Sequence, residues 1–404
     1  MKILFLQKRP LFPADSGGKI RTLNILRHLA RWHDVTYLCN FAENERKFLP
    51  KMADLGLELE TIPWREASRH SWRFYGQLAT NVLSRHPFNV AKDYDRRLRR
   101  RAEELLAEND YDLIICDFVQ MARNAIGLTG PPKLLFQHNV EAEIFARHAK
   151  TGGSWALRQY MHLQYRKMRR FEAKAGRDFD AVVAVSDRDK QTFQADYGWD
   201  HVHTIDTAVD LDYFQRNGTE ERPDQIMFLG AMDWLPNEDC AEYFVREVWP
   251  IVRNKRPNVT FQIVGRNPTP LVRQLNSATG VEVVGTVPDV RPYLAESSVV
   301  VVPLRIGGGT RIKIFEAMAM GKTVVSTTLG AEGLNVTSGH DIEIADTPNE
   351  LADAVLRLLD SPDLRTTIGA NARELVEQHY SAEKIARQFE EICQIAVTKG
   401  NRSA

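Results

Sequence analysis

Three consecutive glycines, Gly307, Gly308 and Gly309, stand immediately before Thr310, Arg311, Lys313 and Glu316 in a stretch that reads VVVVPLRIGGGTRIKIFEAMAMGKTVVSTTLGAEGL from residue 299. Glycine lets backbone approach a bound group closely, and a helix N-terminus favours negative charge, so the outline is that of an anion site. Thr310 is a plausible N-cap for a helix running to about Met320, with Gly321 as its stop. On that helix Ile314, Phe315, Met318 and Ala319 share one side, while Lys313 and Glu316 lie roughly 60° apart on another. One face packs and the other is free for chemistry. A strand, a glycine loop and an amphipathic helix also compose any α/β crossover, so pattern alone leaves ligand and plain crossover both open. Three glycines in a row favour the ligand, because they cost backbone entropy unless close approach or unusual dihedrals need them. Two look-alikes fail: Gly321-Lys322-Thr323 has Glu316 where a P-loop needs glycine, and Gly307 to Ile312 lacks the last glycine of a dinucleotide fingerprint.

The elements that hold these residues are parallel strands. Val299 to Val302 is an apolar β-branched run closed by Pro303, the pattern of a strand buried on both faces. Similar runs occur at 1–6, 35–39, 57–62, 111–117, 133–136, 181–185, 225–229, 259–264 and 281–284. Each delivers its next residues to the C-terminal edge, where open α/β sheets bind ligands. Gly17 and Gly18 follow the first, ahead of a helix carrying Ile20, Leu23, Leu26 and Leu29. Asp117 ends the fourth, and His138 follows the fifth. Taken blind, such a histidine is more often structural than catalytic; Glu141 and Glu143 could orient its ring or open a helix. Three Asp-x-Asp pairs, at 178/180, 187/189 and 210/212, read as turns and caps rather than metal ligands. Thr347 to Glu350 is a capping box with Pro348 at the first helical position.

Length and composition bound the rest. The 404 residues suggest two or three domains, and 43% hydrophobic content suits a globular protein. Lys and Arg balance Asp and Glu at 53 each, so no global attraction to nucleic acid is expected. Four scattered cysteines, with no CxxC, predict free thiols in a reducing compartment, the cytoplasm by default. The opening strand is too short for a signal sequence, and no apolar run reaches membrane-spanning length. Residues 64–101 mix Trp64, Trp72, Phe74, Tyr75 and Phe88 with Arg65, Arg69, Arg73, Arg85 and the run Arg96 to Arg101. That mixture suits an anionic membrane surface or single-stranded nucleic acid, although the arginine run alone reads as a solvated helix face.

The 299–334 stretch resembles the donor-binding motif of GT-B glycosyltransferases of family 4, in the form found in bacterial exopolysaccharide and cell-surface sugar transferases. The likeness continues through Met1 to Ala30, Phe136-Gln137-His138-Asn139, Ala181 to Ser186 and Ala208 to Phe214. It implies an α/β fold of two facing doubly wound Rossmann-like domains with a C-terminal helix returning to the first. The expected divisions are an acceptor-binding domain at 1–205, a linker at 206–223, a nucleotide-sugar donor domain at 224–380 and the returning helix at 381–404. Two departures stand out. The family commonly has two glutamates eight positions apart; Glu316 matches the second, but Gly308 replaces the first. Its usual Arg and Lys after the first strand of the second domain are missing from 230–237, so Arg311 and Lys313 are expected to supply that charge.

The resemblance further implies a retaining, metal-independent transfer from a nucleotide-sugar donor to a glycan, lipid-linked or other cell-surface acceptor, with no cofactor. His138, Arg311 and Lys313 take the catalytic roles. Gly17, Gly18, Thr286, Val287, Gly307, Gly308, Gly309, Thr310 and Glu316 take the donor, with Glu316 on the ribose and Thr286 and Val287 near the base. Membrane-associated acceptors are frequent among such proteins, so weak contact of 64–101 with an anionic membrane is expected in preference to nucleic acid, at the inner face of the cytoplasmic membrane. A nucleotide-sugar epimerase and a degenerate subunit assisting a partner are the alternatives.

Overall fold

A computed structural model describes residues 1–68, 71–151, 154–215, 218–306 and 311–403. The chain divides into two compact units, one of Met1–Asp206 with Glu383–Ala404 and one of Thr207–Ala382. The segment expected as a linker at 206–223 thus falls almost wholly within the second unit from Thr207 on, and the last helix clusters with the first unit.

The first unit holds strands β1 (Lys2–Gln7), β2 (Asp34–Phe41), β3 (Glu58–Pro63), β4 (Leu113–Asp117), β5 (Lys133–Phe136), β6 (Ala181–Ala184) and β7 (Val202–Thr204). They form one parallel sheet in the order β3-β2-β1-β4-β5-β6-β7. Helices on both faces explain why β4 reads Leu-Ile-Ile-Cys-Asp with every residue buried. The order reverses between β1 and β4, which opens a crevice beyond their C-terminal ends. The helix Ala382–Ser403 covers this unit with Ile385, Ala386, Phe389, Cys393 and Ala396, all fully buried. Phe389 packs edge-on against Phe136 with ring centroids 5.0 Å apart.

The second unit repeats the plan with β8 (Gln225–Leu229), β9 (Thr260–Val264), β10 (Val281–Gly285), β11 (Val299–Val302), β12 (Val324–Ser326) and β13 (Glu343–Ile344). Their order is β10-β9-β8-β11-β12-β13, again all parallel. Here the switch point lies between β8 and β11. Ile314, Phe315, Met318 and Ala319 of helix Ile312–Ala319 are buried in the core, as their spacing predicts. That helix is capped by Arg311, so it starts one residue later than the sequence suggests, and Gly321 lies just past its end with φ +63°.

Candidate functional site

The first crevice is organised around Asp117 and His138. Asp117 sits at the end of β4, and its Oδ1 lies 2.6 Å from His138 Nε2. Its Oδ2 accepts a hydrogen bond from Thr22 Oγ1 at 2.7 Å and another from the Gln7 side-chain amide. Arg21 Nη1 lies 3.1 Å from His138 Nδ1. Guanidinium only donates, so Nδ1 must accept, and the ring proton resides on Nε2 and points to Asp117. The ring stacks on Phe118 at 4.1 Å and meets Phe136 at 4.2 Å, leaving its side chain 1% exposed. Burial lowers the His138 pKa despite Asp117, and burial pushes Arg21 down to about 10. The imidazole is therefore neutral at pH 7 and both nitrogens are engaged.

Gly17 and Gly18 are the first residues of helix Gly17–Trp32, not a loop before it, and the N-cap is Ser16. A Cβ on Gly18 would lie 2.5 Å from the Phe118 ring, so this glycine is required by the close approach of Phe118. Phe118 itself holds φ +70°, a conformation costly for a bulky side chain and stabilised here by the packing around it. Glu141 and Glu143 do not orient the ring. Glu143 pairs with Arg188 at 2.8 Å, and Glu141 begins helix Glu141–Thr151. That helix start is capped from another helix: Glu172 accepts from Glu141 N and Ala142 N at 3.0 and 3.2 Å, from Gln137 Nε2 at 3.0 Å and from Tyr197 at 2.9 Å. Burial raises Glu172 to about 8 and Glu141 to about 7. The Glu141 carboxyl bonds to Gln120 and Asn139 and feels Lys8, which pairs with Asp93 at 2.8 Å. Lys8, Gln120, Asn139 and Glu141 make a polar ledge. Sequence reasoning missed Lys8 and Gln120, whose only signal was their place just beyond β1 and β4.

In the second crevice Lys313 Nζ donates to Asn237 Oδ1 at 2.5 Å and lies 4.6 Å above the Phe228 ring. Gly230, at the end of β8, leaves the space: a Cβ there would meet Asn237 Nδ2 at 2.7 Å and Lys313 Nζ at 2.9 Å. Burial lowers Lys313 to about 8, and burial raises Glu316, one helical turn on, to about 7. Arg311 is buried, and its Nη2 donates to Leu329 O at 3.1 Å, tying the helix start to the loop after β12. Thr286 Oγ1 accepts from Asn267 N at 3.2 Å, and Val287 packs against the core beside it. Gly307, Gly308, Gly309 and Thr310 lie outside the described residues. The residue that sequence reasoning missed is Asn237, in the first turn of helix Leu235–Tyr243, within the 230–237 stretch that lacks the family's basic pair.

The other sequence readings resolve locally. Asp180 Oδ2 accepts from Lys133 N at 2.7 Å, Asp189 N is capped by Ser186 Oγ at 3.1 Å, and Asp210 Oδ1 accepts from Tyr213 N at 3.0 Å. The last two are cap and turn contacts, whereas Asp180 ties the start of β5 to the approach to β6. All four cysteines are buried free thiols. Within 96–101, Arg97 pairs with Asp95, Arg99 with Glu103, Arg100 with Glu104 and Arg101 with Glu60. The arginine run is thus a helix face laced with ion pairs, in keeping with its reading as a solvated face. Among the described residues no helix is long and apolar enough to cross a membrane.

Two doubly wound parallel sheets, each with polar side chains gathered at its switch point, define the GT-B class of two-domain nucleotide-dependent transferases. Comparison with known proteins agrees. Residues 16–213 match the model of Glycosyltransferase Family 4, and residues 223–361 match that of Glycosyl transferases group 1. The chain belongs to these glycosyltransferases. It is 19% identical to an uncharacterized 44.6 kDa protein in the cps region of Klebsiella pneumoniae, over 95% of this chain and 97% of that protein. It is 26% identical to a GDP-mannose-dependent monoacylated alpha-(1-6)-phosphatidylinositol monomannoside mannosyltransferase of Corynebacterium glutamicum, over 55% of this chain and 64% of that enzyme. Its fold resembles that of Anabaena HepE in complex with UDP and glucose, with a TM-score of 0.65 at 16% identity and 97% and 98% of the two chains covered.

Proposed function

We propose that the protein moves a sugar from a nucleotide-sugar donor to a hydroxyl of a glycan, lipid-linked or other cell-surface acceptor, with retention at the anomeric carbon and without a metal ion. The observation that supports this reading most is the pairing of Lys313 and Glu316 on one helix at the switch point of the second sheet, with Lys313 held by Asn237 over Gly230. The bond from the anomeric carbon to phosphate oxygen breaks, its electron pair stays on the phosphate, and Lys313 with the helix N-terminus stabilises that charge. The acceptor oxygen bonds the same face of the carbon, and its proton passes to the departing phosphate. Glu316 accepts from the ribose hydroxyls, while backbone at Thr286 and Val287 meets the base. Arg311 acts by fixing the helix start and adding positive potential, and Gly307 to Thr310 contribute backbone amides.

In the first unit, His138 acts through the loop it anchors: with both nitrogens engaged, it holds Asn139 and the Phe118 turn in place, and Gly18 lets the start of its helix lie close to Phe118. The ledge of Lys8, Gln120, Asn139 and Glu141 suits acceptor hydroxyls. The donors named for the relatives, UDP with glucose and GDP-mannose, are the first to test, and the cps-region name of the Klebsiella relative supports an exopolysaccharide role. Buried free thiols suit the cytoplasm.

The test is nucleotide release from UDP-glucose and GDP-mannose in excess EDTA, with crude lipid-linked glycan as acceptor and the product anomer read by NMR. Release that survives EDTA, with the donor anomer kept and loss of about tenfold or more in Lys313→Ala, is the expected result. An inverted product, or activity restored only by added divalent metal, overturns the mechanism.

A further inference from the structure

No Asp or Glu occurs between residues 144 and 171, although Lys and Arg recur throughout that stretch. It forms most of a hairpin of two helices, Glu141–Thr151 and Trp155–Ala175. Between them lies an open groove of about 660 Å³, the size of a small-molecule site. On the longer helix Trp155, Arg158, Gln159 and His162 recur at steps of three and four and so form one stripe, while Gln164, Met168 and Glu172 turn the other side inward. Ala146, Ala149 and Lys150 line the groove from the shorter helix. Tyr165, packed against the core, completes the wall.

The groove offers a ligand two kinds of surface. Trp155 is 70% exposed and presents an indole plane beside the two alanines. Around it stand donors that the protein leaves unspent: among the described residues, no side chain or carbonyl bonds the Trp155 indole N–H, the Lys150 ammonium, the Arg158 guanidinium or the Gln159 amide, and no acid lines the groove. Arg99 and Arg100 of helix Arg96–Glu108, by contrast, each pair with a glutamate one turn on. A pyranose ring has an apolar C–H face and a hydroxyl edge, which match an aromatic plane flanked by N–H donors. Negative charge on the same molecule matches Arg158 and Lys150. A bilayer surface has nothing to place in a groove, and a nucleic acid strand needs successive stacking platforms along a charged track, whereas one exposed ring stands here beside two cations.

Placement in the fold says which glycan. Glu141, at the foot of the shorter helix, belongs to the polar ledge, and Glu172 of the longer helix caps that foot through Glu141 N and Ala142 N. At 1.5 Å per residue, Ala146 to Lys150 lie about 8–14 Å along the helix from Glu141. An acceptor whose reacting hydroxyl rests on the ledge thus reaches the groove only if it is longer than one sugar. We propose that this groove is a subsite for an acidic oligosaccharide and holds the acceptor chain behind the sugar that is extended. Trp155 stacks on a pyranose face, Gln159 and the indole N–H bond hydroxyls, and Arg158 and Lys150 pair with carboxylates or phosphates of the chain. The role as an acceptor subsite rests on the transferase reading, whereas oligosaccharide binding is measured without donor or transfer.

The test is calorimetric titration of the full chain with trigalacturonic acid, a hyaluronan tetrasaccharide and neutral maltotriose, at low and high salt. Saturable binding of an acidic oligosaccharide, about tenfold or more tighter than maltotriose and weakened by salt, is expected. Trp155→Ala should weaken it about tenfold or more, and the double variant Lys150→Gln, Arg158→Gln should abolish the preference over maltotriose. Melting temperatures should not change, because these side chains are exposed, and the control Arg100→Gln should bind as the parent does. Titrations with UDP and GDP should agree among all these proteins, so that a failed donor site shows there and not in the oligosaccharide series. The proposal is overturned if the parent binds neither acidic oligosaccharide, if it binds maltotriose equally well, or if Trp155→Ala and the double variant bind as the parent does. It is also overturned if phosphatidylglycerol vesicles or single-stranded DNA bind through Trp155 and Arg158 while the oligosaccharides do not.

Discussion

Asp117 serves three donors with two oxygens, and none of them is near it in sequence: Gln7, Thr22 and His138 come from β1, the first helix and the loop after β5. The sequence showed that Asp117 and His138 arrive at the same sheet edge, because both follow apolar runs. It did not show that they meet, since that depends on the register of β4 and β5 and on Arg21 and Thr22 facing inward. Asp117→Asn keeps one acceptor for His138 but turns an amide NH2 toward the Thr22 hydroxyl and the Gln7 amide. It should lower urea stability by about 2–4 kcal/mol, the cost of buried donors left unpaired, and unchanged unfolding would refute the network. Glu316 makes the opposite case. Burial raises its folded pKa to about 7, above the ordinary value of 4.5. The folded state therefore holds the proton more tightly, and stability from this group is full below pH 4.5 and lost as pH rises toward 7. Glu316→Gln should match the parent in stability near pH 4.5 and exceed it at pH 8, while binding donor less well; a variant less stable at pH 8 contradicts this.

At the level of elements, the long parallel strands were legible because burial on both faces writes them as apolar runs such as Val299 to Val302. The short edge strands Val202–Thr204 and Glu343–Ile344 were not, since three and two residues carry too little pattern. Helix starts were misread by a few residues at Gly17 and Ile312, where a cap other than the obvious one took the position. The final helix was expected from the family resemblance, and its buried stripe predicts its cost: Phe389→Ala, which removes a ring packed on Phe136, should destabilise the first unit by about 3–5 kcal/mol in chemical denaturation. A change under about 1 kcal/mol would mean that the helix is not part of that unit's core. The donor-unit helix carries a pH signature too. Lys313 at about 8 and Glu316 at about 7 predict donor affinity that rises from pH 6 as the carboxylate ionises and falls above pH 8 as the ammonium is lost. Titration calorimetry across that range checks it, and a flat profile excludes both groups from the donor.

Across the whole molecule, charge and chemistry are partitioned in ways that composition conceals. The zero net charge hides two stretches, 67–92 and 144–171, without a single acid, while in the basic run that catches the eye in the sequence Arg99 and Arg100 pair with glutamates one turn on. Each unit places its polar groups at the one point where its sheet reverses order, so the likeness to family 4 transferases follows from two local arrangements as well as from the strand plan. The central claim, that the second unit is a nucleotide-sugar donor site built on Lys313 and Glu316, is tested most directly by calorimetric titration of UDP, GDP and ADP in EDTA. The parent protein, Lys313→Ala and Glu316→Ala are compared at pH 7.5. The account predicts saturable binding of one nucleotide by the parent, weakened about tenfold or more in each variant. Binding to none of the three, or binding that both variants retain at full strength, would contradict it.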